Sequence, residues 1–178
     1  MLYTRKGDNG TTKTFGCDQR ISKSSTIAEA LGAMDEVNSY LGLCKVKTKE
    51  LEPSFEKIIH DIQKNLFIVQ AELAGATESI SENKVKDLEN IVDDIEKQIP
   101  KVESFFISGG CEFSAMFDFA RTLARCAERR VVAVHEEGVV GIGKSTLEYL
   151  NRLSSVLYAL ARLSSHLSNV EEESPDYK

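Results

Sequence analysis

Five long stretches of this 178-residue chain repeat apolar residues at three- and four-residue spacing, with only short connections between them. That pattern constrains the fold more than any other feature. Each stretch reads as an amphipathic helix with one face to bury, and short connections make consecutive helices antiparallel neighbours. The expected architecture is all-α: a five-helix bundle with ferritin-like up-down packing in a single domain over 1–178.

The first stretch runs from about Thr26 to Cys44, with Ile27, Leu31, Met34, Val37 and Leu41 on one stripe. Thr26 and Glu29 read as its capping box. The second opens at Pro53, a favoured first-turn residue, and carries Phe55, Ile59, Ile62, Leu66, Val69 and Leu73. The third holds Val85, Leu88, Ile91, Val92, Ile95 and Ile99, and stops at Pro100. The fourth spans about Phe113 to Glu137, with Gly138 as a C-terminal stop. The fifth opens with Ser145 and Glu148 as a second capping box and carries Leu147, Leu150, Leu153, Leu157, Leu160 and Leu167. Residues 1–24 are polar and glycine-containing without helical period. Residues 169–178, with the acidic run Glu171–Glu173, read as a disordered tail.

Several function classes drop out. The net charge is −6, whereas a non-specific nucleic-acid binder needs a basic excess to displace counterions. No apolar run approaches the ~20 residues that span a bilayer, so no membrane partner is expected. Met1 leads into Leu2-Tyr3-Thr4-Arg5-Lys6 without an apolar leader, which makes a cytoplasmic protein the expectation. Cys17, Cys44, Cys111 and Cys126 form no C-x-x-C pair and read as free thiols. His60, His135 and His166 lie in no E-x-x-H or H-E-x-x-H pattern, and no side-chain metal site is expected. Nothing resembles a Ser/His/Asp or Cys/His nucleophile set.

Four segments could carry chemistry. Gly138-Val139-Val140-Gly141-Ile142-Gly143-Lys144-Ser145 matches the Walker A pattern letter for letter. A P-loop needs a buried strand feeding the glycines, but here His135-Glu136-Glu137 finishes a helix, and Ser145 reads as a helix cap instead. A P-loop phosphotransferase is thus the lesser reading. Arg121, Arg125 and Arg129 follow at i, i+4 and i+8, so three cations share one helix face. Like charges at that spacing cost ~0.2–0.5 kcal/mol per pair, so they need solvent, a carboxylate such as Glu128, or a bound polyanion. The stretch Thr4-Arg5-Lys6-Gly7-Asp8-Asn9-Gly10-Thr11-Thr12-Lys13-Thr14 gathers cations, glycines and hydroxyls suited to a phosphate cradle, with Lys23 following. Asp35 and Asn38 sit one turn apart, offset from the apolar stripe of the first helix.

At these residues the chain closely resembles the PduO-type ATP:cob(I)alamin adenosyltransferases, or corrinoid adenosyltransferases. The matching blocks are Tyr3 to Gly10, Gly32-Ala33-Met34-Asp35-Glu36-Val37-Asn38, Phe105 to Gly110, Ala120 to Arg130, and Tyr149-Leu150-Asn151-Arg152-Leu153-Ser154. Five blocks in family order, over nearly the whole chain, make the resemblance specific.

The resemblance implies transfer of the 5′-deoxyadenosyl group of ATP to the cobalt of cob(I)alamin, releasing triphosphate, with Mg²⁺ bound mainly through the ATP phosphates. It implies a homotrimer with sites between subunits. In the family pattern Thr4, Arg5, Lys6, Gly7, Gly10, Thr11, Thr12, Lys13 and Lys23 bind nucleotide, together with Arg125, Glu128, Arg129 and Asn151. Asp35 and Arg125 are the implied catalytic pair, joined across the interface beside the corrin. Phe105 matches the aromatic that keeps the dimethylbenzimidazole base off cobalt. A flavin reductase or flavodoxin-like reductant and an adenosylcobalamin-dependent enzyme are the implied protein partners. The remaining alternative is a non-catalytic helical module that binds corrinoid or anions. Three departures stand out: Ser108 where many members have proline, Cys126 where many have arginine, and Lys6 where a smaller residue is common.

Overall fold

The structure, a computed structural model, describes residues 3–14 and 19–176; Cys17 lies outside them. Five helices follow a two-stranded hairpin: α1 (Thr26–Thr48), α2 (Pro53–Leu73), α3 (Glu82–Glu96), α4 (Glu112–Glu137) and α5 (Lys144–Leu167), after β1 (Thr11–Thr12) and β2 (Ile21–Ser22). The strands pair antiparallel, Thr11 with Ser22 and Thr12 with Ile21. The expected five-helix bundle is thus the observed one.

Helix α1 packs on α2 and α4, α4 packs on α5, and α5 carries α3. Side chains close this arrangement between α2 and α5: Asn65 Nδ2 donates to the Tyr149 hydroxyl at 3.2 Å, and Thr146 Oγ1 donates to Glu72 at 2.5 Å. The core is the sum of the apolar stripes. Met34, Leu41, Phe55, Phe117, Tyr149 and Leu157 are fully buried, and the Phe55 and Phe117 rings meet edge to face at 5.6 Å. Cys44 lies in this core, where burial pushes its thiol up to about 12. It stays a neutral packing group at physiological pH.

The helix ends show where local signals hold. Pro53 does open α2, and Gly138 does end α4, in the left-handed conformation with φ 69°. Two expected capping boxes shift. Ser25, not Thr26, caps α1 by accepting from the Ala28 N–H at 3.3 Å, while the Thr26 hydroxyl donates to Glu137. Helix α5 begins at Lys144 after Gly143, so Ser145 lies inside its first turn rather than capping it. Helix α3 ends at Glu96, short of Ile99.

The tail also departs from expectation. Over 170–174 it lies against the segment before α4: Ile107 N–H donates to Glu173 O at 2.8 Å, and the Ser104 and Ser174 hydroxyls are 2.7 Å apart. An acidic run in isolation has no reason to order, but here Glu172 meets the buried Arg162.

Candidate active site

Two members of the α4 arginine row, Arg121 and Arg125, face a cleft of about 480 Å³ at the edge of α5. Arg121, Arg125, Phe105, Phe106, Ser108 and Tyr158 are among its lining residues. Helical spacing alone explains why the two arginines share it, since i and i+4 lie one above the other. Phe105 enters from the 101–111 connection, with its side chain 77% exposed. A large aromatic left that open has no packing role in the chain itself. Cations and an apolar wall therefore face one volume.

The charges of α4 divide into paired and unpaired. Arg121 Nε lies 3.8 Å from Asp118, and Arg130 lies 3.6 Å from Glu29. Arg125 and Arg129 are exposed and have no ion-pair partner among the described residues. Glu128 does not neutralise the row; it accepts from Asn151 Nδ2 at 3.1 Å, across to α5. That bond links α4 to α5 in the same turns of α4 as Arg125 and Arg129. The half-buried Cys126 is an unbridged thiol on the same helix.

The N-terminal hairpin forms a second cluster. Its turn is closed by Asp8 N–H to Arg5 O (3.3 Å), Gly10 N–H to Gly7 O (3.1 Å) and Lys23 N–H to Gly10 O (3.0 Å). Arg5 takes φ 58° and Gly10 φ 78°; the first is unusual for a residue with a side chain and carries local strain. Gly7 is required by close approach: a Cβ there would lie 3.1 Å from Thr11 O and 3.3 Å from Lys23 Nζ. The loop thus holds the Lys23 ammonium against its backbone. Thr4, Arg5 and Lys6 are exposed at its mouth, with Thr4 Oγ1 accepting from Lys6 N–H at 3.4 Å. Thr11 and Thr12 are half-buried in β1, and Lys13 is exposed beyond it. Arg20, absent from the sequence-based candidates, braces β1: its Nε and Nη2 donate to Thr11 Oγ1 and O, both at 2.7 Å. Only pairing of the strands reveals it.

Asp35 is exposed on α1 and shares a shallow depression with Asn38, His60, Gln63 and Phe67. No ion pair joins Asp35 to Arg125 among the described residues, and the two line different concavities. Within one chain the expected site residues therefore form three groups: the hairpin, the α4–α5 cleft with Glu128 and Asn151, and the Asp35 depression.

The Walker-like segment is occupied by the protein itself. Glu72 of α2, buried to 5% exposure, accepts from Gly143 N–H at 2.7 Å and from Thr146 Oγ1. A Cβ at Gly143 would lie 3.1 Å from that carboxylate. The start of α5 thus meets a built-in anion, where a P-loop would meet phosphate. Lys144 points to solvent and pairs with Glu148 at 3.3 Å. Ser145 was expected to cap the helix; Glu72 does so from another helix, with no local sequence signal.

Known proteins resemble this chain in sequence and in fold. The family model described as cobalamin adenosyltransferase matches residues 2–164. The corrinoid adenosyltransferase PduO of Citrobacter freundii is 40% identical over 172 residues, covering 93% of this chain and 50% of that protein. A second corrinoid adenosyltransferase of Citrobacter freundii is 37% identical over 182 residues, covering 98% of this chain and 97% of that one. The chain spans about half the length of the PduO relatives it matches. Among solved structures, a variant PduO-type ATP:corrinoid adenosyltransferase from Lactobacillus reuteri, complexed with cobalamin and ATP, superposes with a TM-score of 0.92 at 27% identity. The overlap covers 99% of this chain and 97% of that one. With the family model matched over residues 2–164, a 37% identical relative covered almost end to end and a matching fold over 99% of its length, the chain belongs to the cobalamin adenosyltransferase family.

Proposed function

We propose that this protein transfers the 5′-deoxyadenosyl group of ATP to the cobalt of cob(I)alamin. The observation that carries the reading is the α4–α5 cleft, where the exposed Phe105 ring and the Arg125 guanidinium, without an ion-pair partner among the described residues, face one volume. Cobalt(I) supplies its own electron pair, forms the Co–C5′ bond and displaces triphosphate from the 5′ carbon. No general base is required. The protein's part is to hold the two centres in line and to stabilise charge on the departing triphosphate. Arg125 and Arg129, beside the Glu128–Asn151 bridge, are the groups assigned to that charge. The hairpin residues Thr4 to Lys13, with Lys23 held against Gly7, are assigned to the phosphates.

Phe105 is assigned to the lower face of the corrin. An aromatic wall there excludes water and the dimethylbenzimidazole base, which makes cobalt(II) easier to reduce. Asp35 would meet Arg125 of a neighbouring subunit in a homotrimer. Its exposure, and the lack of an ion pair with Arg125 inside one chain, support that assignment. Mg²⁺ fits as an ion carried on the triphosphate oxygens, adding positive charge to the leaving group. Among the described residues no group of three or more His, Cys, Asp or Glu side chains stands ready to hold a metal.

A flavin reductase or flavodoxin-like donor would supply the electron, and an adenosylcobalamin-dependent enzyme would consume the product. No described helix is long and apolar enough to cross a membrane. The test is the product. Multiple turnover with ATP, Mg²⁺ and reduced cobalamin is expected to yield adenosylcobalamin and triphosphate in equal amounts. ADP and phosphate would instead favour a phosphotransferase, and ATP binding without turnover a carrier module.

A further inference from the structure

Arg162 of α5 is only 3% exposed, yet it carries a full charge. Its Nη2 donates to Asp118 Oδ2 of α4 at 2.6 Å, and its Nη1 donates to Glu172 of the tail. Its guanidinium carbon lies 4.9 Å from the Tyr158 ring centroid and 5.6 Å from that of Phe106. A buried guanidinium is tolerable only when paired and hydrogen-bonded. One of its carboxylates is fixed in a helix. The other belongs to a polar tail that has no apolar face with which to order itself.

That tail in turn brackets the segment before α4. Glu173 O accepts from Ile107 N–H, and Ser174 meets Ser104. Val170 packs so tightly that a Cβ on Gly110 would come within 3.2 Å of it. Phe105 sits inside this bracket but is itself 77% exposed. Its position is therefore set by its neighbours rather than by its own packing.

We infer that Arg162 is a positioning residue: through Glu172 it draws the C-terminal tail onto residues 104–107, and so sets where the Phe105 ring stands over the cleft. The consequence for catalysis rests on the adenosyltransferase reading; the mechanical link does not. The tail thereby takes part in preparing the lower face of the corrin although it lines none of the α4 arginine face.

The chain contains no tryptophan, so Phe105→Trp installs a unique fluorophore on the segment. Its steady-state anisotropy is expected to fall when Glu172→Ala is added, and to recover in large part with Glu172→Gln, which keeps a hydrogen-bond acceptor. Glu172 is chosen because it lies at the edge of the cluster, and thermal melts check that each variant is folded. With native Phe105, Glu172→Ala is expected to lower turnover of cob(II)alamin plus reductant about 10-fold while changing turnover of preformed cob(I)alamin less than about 2-fold. Unchanged anisotropy in the Ala variant overturns the mechanical link. Equal losses on both cobalamins overturn its catalytic consequence. If the unaltered protein makes no adenosylcobalamin at all, the adenosyltransferase reading fails instead, and the anisotropy still decides the link.

Discussion

Two regions of this molecule carry, in the sequence, groups that could meet phosphate, and the fold treats them in opposite ways. The Gly138–Ser145 segment has the letters of a nucleotide loop, yet Glu72 fills the space over Gly143 and satisfies its N–H. The α4 face has no such motif, only arginines at helical spacing, yet Arg125 has no ion-pair partner among the described residues and shares a cleft with an exposed phenylalanine. Glycine and lysine at fixed offsets describe what a backbone is free to do. Whether an anion can enter depends on what the rest of the chain has already put there.

The largest expected effect tests the open region. Arg125→Ala should lower turnover about 100-fold or more, on the order of 2.7 kcal/mol of lost transition-state stabilisation, with the helical signal and melting temperature retained. Near-normal adenosylcobalamin formation by that variant would remove the cleft from the mechanism. The closed region is tested by Glu72→Ala, which leaves the Gly143 N–H and the Thr146 hydroxyl without their acceptor. It should cost about 2 kcal/mol in urea unfolding. If stability were unchanged, solvent rather than Glu72 would be what satisfies the start of α5.

Phe105→Ala sharpens the comparison within the open region. About a 10-fold loss is expected with cob(II)alamin and reductant, roughly 1.4 kcal/mol, and less with preformed cob(I)alamin. Equal losses would leave the ring a contact without a role in reduction. The smallest effect falls on the apparent motif: Lys144→Ala should change activity less than about 2-fold, because an exposed Lys144–Glu148 pair contributes little. A large loss there would reopen the P-loop reading.

The helices were legible because each needs only its own stripe. Met34, Val37 and Leu41, or Ile59, Ile62 and Leu66, declare a buried face with no information from elsewhere. Pro53 and Gly138 marked boundaries correctly because their constraints are backbone-local. Ser145 misled because a Ser-x-x-Glu spacing cannot reveal that a carboxylate 71 residues away in sequence caps the helix. The tail misled for a related reason: its Glu172 meets Arg162, which reads in sequence as one of several polar residues of an amphipathic helix.

At the site, the arginine row, the hairpin cations and Phe105 were legible as chemistry awaiting a partner. Arg20, Asp118 and Arg162 were not, because each acts on another protein group across the fold. Side chains left open to solvent and those that bond to other protein groups thus leave different traces: the first kind stand out as composition, the second only as geometry.

The Glu72 contact also bears on the order in which the bundle can be assembled. On a ribosome α2 emerges well before α5, so the carboxylate is available before the segment that needs it. The last helix then has a template for its first turn, and its register along α2 is fixed by two hydrogen bonds rather than by sliding apolar surfaces. A permuted chain with α5 ahead of α2 would lose that head start during synthesis, its last helix emerging before the carboxylate that receives it.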